Sequence, residues 1–109
     1  MKLTKKPTLK EKKRYIYFKV HSNYPVKYVD MRNAVFDSIF DLIGELGLAK
    51  SNTHFVKNLW DQKNQTGILK CSHTFVDQIK LATSLIHQIG ESQVIFQSLR
   101  VSGTIKGLK

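Results

Sequence analysis

Apolar residues recur with two different periods along this chain, and the order in which the period changes restricts the folds open to it. In residues 14–22 the period is two: Ile16, Phe18 and Val20 fall on one side, Tyr15, Tyr17, Lys19 and His21 on the other. That pattern marks a strand with one buried face, and Asn23, Tyr24 and Pro25 end it. From about residue 27 to residue 46 the spacing becomes three and four. Val35, Ile39, Leu42, Ile43 and Leu46 form the stripe of an amphipathic helix, which Phe36 and Phe40 widen. Gly47 is placed to close that helix. Residues 53–62 and 67–72 read as two strands joined by the polar stretch 63–66 and closed by Gly67. A second helix is expected over 73–88, burying Phe75, Ile79, Ala82, Leu85, Ile86 and Ile89, with Gly90 as its stop. Residues 93–101 form the last strand. Val94 and Phe96 claim one face of it and Ile95, Leu99 and Val101 the other, which leaves its register open.

The order strand, helix, strand, strand, helix, strand is that of an α+β sandwich of the ferredoxin-like, RRM-like kind. Such a βαββαβ chain makes a four-stranded antiparallel sheet with both helices on one face. A length of 109 residues suits one domain. We expect a basic N-terminal arm over 1–13, the sandwich over 14–102 and a basic tail over 103–109. If Ile16, Phe18, Leu69 and Cys71 face the helices, then Tyr15, Tyr17, Lys19, Ile68 and Lys70 share the open sheet face. Tyrosines and lysines together can stack on bases and meet phosphates, or be covered by a partner protein.

Charge is distributed unevenly. The net charge is +10, and residues 1–14 hold +6 of it in Lys2, Lys5, Lys6, Lys10, Lys12, Lys13 and Arg14 against Glu11. Arg100, Lys106 and Lys109 add +3 at the other end, so the body between is nearly neutral. Two basic ends on a balanced body suit a polyanionic partner, with a solubilising tail as the plainer reading. Asp37, Asp41 and Glu45 follow one another at four-residue spacing on the first helix, behind Asp30. This row repels phosphate and suits a protein partner, and it lacks the histidine or loop geometry of a metal site.

No catalytic constellation is present. The sequence has no phosphate-cradling glycine loop, no nucleophile elbow, no paired cysteines and no two histidines at metal-binding spacing. Catalytic and metal-ligating residues are accordingly expected to be absent, with no cofactor bound by the chain itself. Trp60 reads as a core or interface anchor. The single Cys71 and the lack of a signal-like or bilayer-length apolar stretch lead us to expect a soluble cytoplasmic protein without membrane contact.

Several runs of the sequence carry a family likeness. They are Gly67-Ile68-Leu69-Lys70-Cys71, the closing run Leu99-Arg100-Val101-Ser102-Gly103-Thr104-Ile105-Lys106-Gly107-Leu108-Lys109, and upstream the stretches 7–16 and 42–50. Together they closely resemble the archaeal members of ribonuclease P protein component 2, over nearly the whole chain. The resemblance implies a subunit of the ribonucleoprotein that removes the 5′ leader of precursor tRNA, in which the RNA is catalytic and uses magnesium ions. It implies ribonuclease P RNA and ribonuclease P protein component 3 as partners, with precursor tRNA met indirectly, in an assembly that can be a heterotetramer built on a homodimer of this chain. On this reading Lys5, Lys6, Lys10, Lys12, Lys13, Arg14, Tyr17, Lys19, Lys70, Arg100, Lys106 and Lys109 face RNA. Tyr15, Ile68, Asp37, Asp41 and Glu45 face protein. The third strand lacks the aromatic consensus with which RNA-recognition domains stack bases. A freestanding single-stranded-RNA binder and a ligand-sensing or scaffold domain of the same fold are the alternatives.

Overall fold

The computed structural model describes residues 12–108. Seven regular elements are present: β1 (Lys13–Ser22), α1 (Tyr28–Ser51), β2 (His54–Phe55), β3 (Thr66–Ser72), α2 (Val76–Ser84), β4 (Gln88–Ile89) and β5 (Ser92–Ser102). Short 3-10 turns occupy Lys57–Leu59, His73–Phe75 and Lys106–Leu108. The five strands make one antiparallel sheet in the order β2-β3-β1-β5-β4. The expectation of four strands therefore has to be corrected: β4, taken at first for the end of the second helix, turns back on β5 with Gln88 opposite Gln93.

Alternation in β1 drives the layering. Ile16, Phe18 and Val20 are buried and pack with Leu69 and Cys71 of β3, Val94 and Phe96 of β5, Met31, Val35 and Ile39 of α1, and Ile79 and Ala82 of α2. Both helices lie on this one face and touch through Ser38, whose Oγ donates to the Ala82 carbonyl at 2.6 Å. Burial on this scale contributes about 25 cal/mol per Å² of apolar surface, so the shared helix–sheet interface is the main source of stability. An aromatic cluster anchors one side of the core. Phe18 lies 6.1 Å from Phe55, 6.3 Å from Trp60 and 5.8 Å from Phe96 between ring centroids. Gly67 makes room for it, because a Cβ there would meet Phe18 at 2.7 Å and Trp60 at 2.9 Å.

Helix α1 departs from expectation. Gly47 does not end it. The break comes at Gly44, whose φ of 75° and ψ of −179° interrupt the helical path, and a second helical segment then runs to Asn52, the left-handed cap. A backbone at that φ excludes ordinary side chains. The break swings Leu46 out to 68 % exposure and removes Glu45 from the row with Asp37 and Asp41. The second helix is shorter than expected at nine residues, so Leu85 lies beyond it and is 57 % exposed. The expected strand over 53–62 shrinks to two residues. A 3-10 turn at Lys57–Leu59 interrupts it, and Phe55, Val56, Leu59 and Trp60 on either side all remain half-buried.

Both ends of the described segment join the fold. Strand β1 begins at Lys13, one residue inside the expected arm, and Lys12 accepts the backbone N–H of His73 at 2.8 Å. At the other end the Thr104 N–H bonds Ser102 Oγ and the Gly107 N–H bonds Thr104 Oγ1, which curls the tail back against β1 and β5. Leu108 is thereby 5 % exposed.

Replacing Leu108 with Ala should cost about 2 kcal/mol, the low end for a buried leucine because the space beside it is already open. It should also speed amide exchange in β1 and β5, and unchanged exchange there would show that the tail does not hold the sheet. Burial pushes the Cys71 thiol up to about 11 from 9.0. The folded protein should therefore resist alkylation at pH 8 and react only on unfolding. Between the two values the unfolded chain releases this proton first, so stability should fall as pH rises through that window.

Candidate nucleic-acid and protein interface

The strand registers fix which side chains share the outer face of the sheet. Tyr15 stands opposite Lys70 and Ser102, Tyr17 opposite Ile68 and Arg100, and Lys19 opposite Thr66 and Gln97. Directly opposed residues point to the same side, and Ile16, Phe18 and Val20 point inward. Tyr15, Tyr17, Lys19, Ile68, Lys70 and Arg100 are therefore brought together on the face away from the helices. His54 joins them opposite Lys70. His21 joins as well, with Nε2 against Gln97 Oε1 at 2.7 Å.

The register of β5 is settled by a bulge. Tyr17 pairs with Arg100 but Phe18 pairs with Ser98, so Leu99 is an extra residue. Before it, Val94 and Phe96 face the core. After it the parity flips, and Val101 comes opposite Ile16 on the core side. The same bulge turns Arg100 to the outer face beside Tyr17.

This outer face is not bare. Ile68 is only 6 % exposed, and the C-terminal turn, packed against β1 and β5, brings Leu108 to the same groove. With Tyr17, Leu59, Asp61 and Thr66 these two line a groove of about 250 Å³. What is left open to a partner is the basic and polar perimeter. Arg14 is half-buried, its Nη1 donating to the Lys13 carbonyl at 2.9 Å, and Lys12, Lys13 and Lys106 are exposed. Lys5, Lys6, Lys10 and Lys109 lie outside the described residues.

The residues expected to meet protein do not form one patch. Tyr15 and Ile68 lie on the outer face, whereas Asp37, Asp41 and Glu45 are exposed on α1, across the sheet from them. The helical layer also exposes Phe40, Leu46, Leu81 and Leu85. Phe40, Leu46 and Leu85 belong by spacing to the core stripes, which are wider than the sheet covers, and Leu81 falls outside the spacing read for the second helix.

One polar device was not anticipated. Gln65, buried and left-handed at φ 57°, accepts the Val26 N–H at 2.7 Å and donates to the carbonyls of Val26 at 3.1 Å and Gln62 at 2.8 Å. It ties the turn after β1 to the loop before β3. Beside it both carboxylate oxygens of Asp61 accept from Asn64, through the backbone N–H and then the side chain. These bonds hold the Asp61 carboxyl below the usual carboxylate range.

Among the described residues no group of three or more His, Cys, Asp or Glu is arranged to hold a metal ion. Each of the four histidines meets a neutral oxygen, from Gln97, Asn52, Lys12 or Leu85. Among the described residues no helix is long and apolar enough to cross a membrane.

Comparison with known proteins places this geometry. The model of the Rpp14/Pop5 family matches residues 14–109. The ribonuclease P protein component 2 of Thermococcus kodakarensis is 40 % identical over 103 residues, covering 94 % of this chain and 84 % of that protein. Its namesake from Pyrococcus abyssi is 36 % identical over 110 residues, covering 100 % and 92 %. That from Methanocaldococcus jannaschii is 35 % identical over 103 residues, covering 94 % and 74 %. In backbone shape, a chain of the yeast ribonuclease MRP cryo-EM structure superposes with a TM-score of 0.66 at 12 % identity, over 86 % of this chain and 76 % of that one. The chain belongs to the Rpp14/Pop5 family, and its relatives there are the archaeal proteins called ribonuclease P protein component 2.

Proposed function

We propose that this chain is an RNA-binding protein subunit of ribonuclease P, assisting the catalytic RNA in removing the 5′ leader of precursor tRNA. The observation that carries the reading is the match to component 2 proteins along nearly the whole chain. The geometry supports it. The sheet has the ferredoxin-like strand order with one extra edge strand, and its outer face gathers Tyr17, Lys19, Lys70 and Arg100. Phosphates are met there and by the basic ends, which together hold +9 of the net charge of +10.

In this reading the chain supplies binding and positioning, and the partner RNA holds the magnesium ions that do the chemistry. Ribonuclease P protein component 3 covers the helical layer, where Asp37, Asp41 and exposed Phe40 and Leu81 combine acidic and apolar surface. Precursor tRNA is reached through the assembled complex, which can contain two copies of this chain, and the complex works in the cytoplasm.

The test is affinity for the cognate ribonuclease P RNA across a salt series. Wild type is compared with a chain lacking residues 1–11 and with a Lys106→Ala, Lys109→Ala double variant. The deletion stops short of β1, so thermal melts should match wild type. The slope of log affinity against log salt should flatten by about 0.9 for each phosphate contact removed. Folded variants with wild-type slopes would reduce the ends to solubilising tails and move the RNA contact to the face around Lys19 and Lys70. Failure of the full chain to bind the RNA at any salt would overturn the proposal.

A further inference from the structure

We propose that the end of the sheet around residues 19–25 is a binding site for unpaired RNA, in which Tyr24 stacks on a base while Lys19 and Lys63 hold the flanking phosphates. The site deepens the RNA-binding reading above and rests on it.

Tyr24 is 72 % exposed, the most exposed of the large apolar side chains described. Its backbone is nevertheless fixed on every side. Ser22 Oγ donates to the Tyr24 carbonyl, Pro25 restricts the residue before it, and Val26 is held through both its N–H and its carbonyl by the buried Gln65. An aromatic ring on an anchored turn contributes nothing to the core. It loses little freedom when it takes up a ligand, which is the economical way to present a stacking surface.

The surroundings suit a nucleotide. A cleft of about 350 Å³ lies beside the turn, lined by Lys19, His21, Lys63 and Asn64 among others. A second, of about 570 Å³, shares His21, Ser22 and Asn23 with it and extends to His87 and Gln93. Among the described residues no carboxylate lines either cleft. The acid nearest in sequence to Lys63, Asp61, already has both oxygens occupied by Asn64. The first cleft thus carries two lysines, both clefts are rich in amide donors and acceptors, and both are of the size small ligands occupy. A protein partner would sooner select a surface poor in lysine and continuous in apolar area. A duplex would offer Tyr24 no free base face, whereas unpaired nucleotides do. Tyr15 and Tyr17 are less available for this task, being half-buried in the sheet.

The experiment measures binding of the full chain to a labelled oligouridylate of about ten nucleotides, with an RNA duplex of equal length and the cognate structured RNA as comparators. Wild type should prefer the single strand to the duplex. Tyr24→Ala should weaken oligouridylate binding roughly tenfold, Tyr24→Phe should retain it, and a Lys19→Ala, Lys63→Ala double variant should lower the salt slope by about 1.4. Tyr24→Ala should melt as wild type does. Should it fail to fold, Lys63→Glu on the exposed hairpin carries the same test, with loss of binding expected. Wild-type affinity in Tyr24→Ala, or in Lys63→Glu, overturns the site. So does loss in Tyr24→Phe equal to that in Tyr24→Ala, or loss of component 3 binding alone. A chain that binds the structured RNA but not oligouridylate lacks this site yet keeps the subunit reading, and one that binds neither RNA overturns both.

Discussion

The ring of Phe18 is the point on which the rest of the structure depends. It sits on the central strand and meets Phe55 from the edge strand, Trp60 from the turn that follows and Phe96 from β5. Aromatic pairs at these separations add about 0.5–1.5 kcal/mol each beyond the area they bury. Three of the sheet's connections therefore converge on one side chain. The neighbouring Gly67 is an element of the same constraint, because any Cβ there would displace the rings. With Phe18 held inward, Tyr17 and Lys19 must point outward, and the outer face of the sheet acquires its composition as a consequence of core packing.

That division assigns different chemistry to different surfaces. The outer face carries lysine, arginine and tyrosine, and its apolar centre at Ile68 is buried and shares a groove with the chain's own Leu108. The helical layer carries Asp37 and Asp41 with exposed apolar side chains around them. On the proposed function phosphate is met at the first surface and a protein partner at the second, so the two would not compete. Gln65 adds rigidity where the loops meet, since three hydrogen bonds to buried or half-buried groups leave those loops a single arrangement.

Much of this was legible from pattern alone. The two-residue period of Ile16, Phe18 and Val20 fixed the inward face, and with it the gathering of Tyr15, Tyr17, Lys19 and Lys70 on the other side. What escaped notice depended on single backbone events. The break at Gly44 looks like any mid-helix glycine in sequence, yet its left-handed φ carries Leu46 out of the stripe and Glu45 out of the acidic row. The contradictory parity of Val94, Phe96 and Val101 signalled a bulge, but not that Leu99 would supply it. The closing run looked like a free basic tail because Lys106 and Lys109 dominate it, while its fold depends on Ser102, Thr104 and Leu108. Tyr24 was read only as a strand breaker, since exposure cannot be read from a turn sequence.

The central claim is that this family member contributes binding rather than chemistry to a ribonucleoprotein enzyme. The observation that carries it is the match to component 2 proteins along nearly the whole chain. The most direct measurement is cleavage of precursor tRNA at low magnesium by the cognate RNA, with and without this chain and component 3, beside the nuclease-free chain on its own. The expected result is no cleavage by the protein alone and a clear rise in RNA-dependent cleavage when both proteins are added. Robust metal-dependent cleavage by the chain without RNA, or no response of the RNA to its addition, would contradict the account.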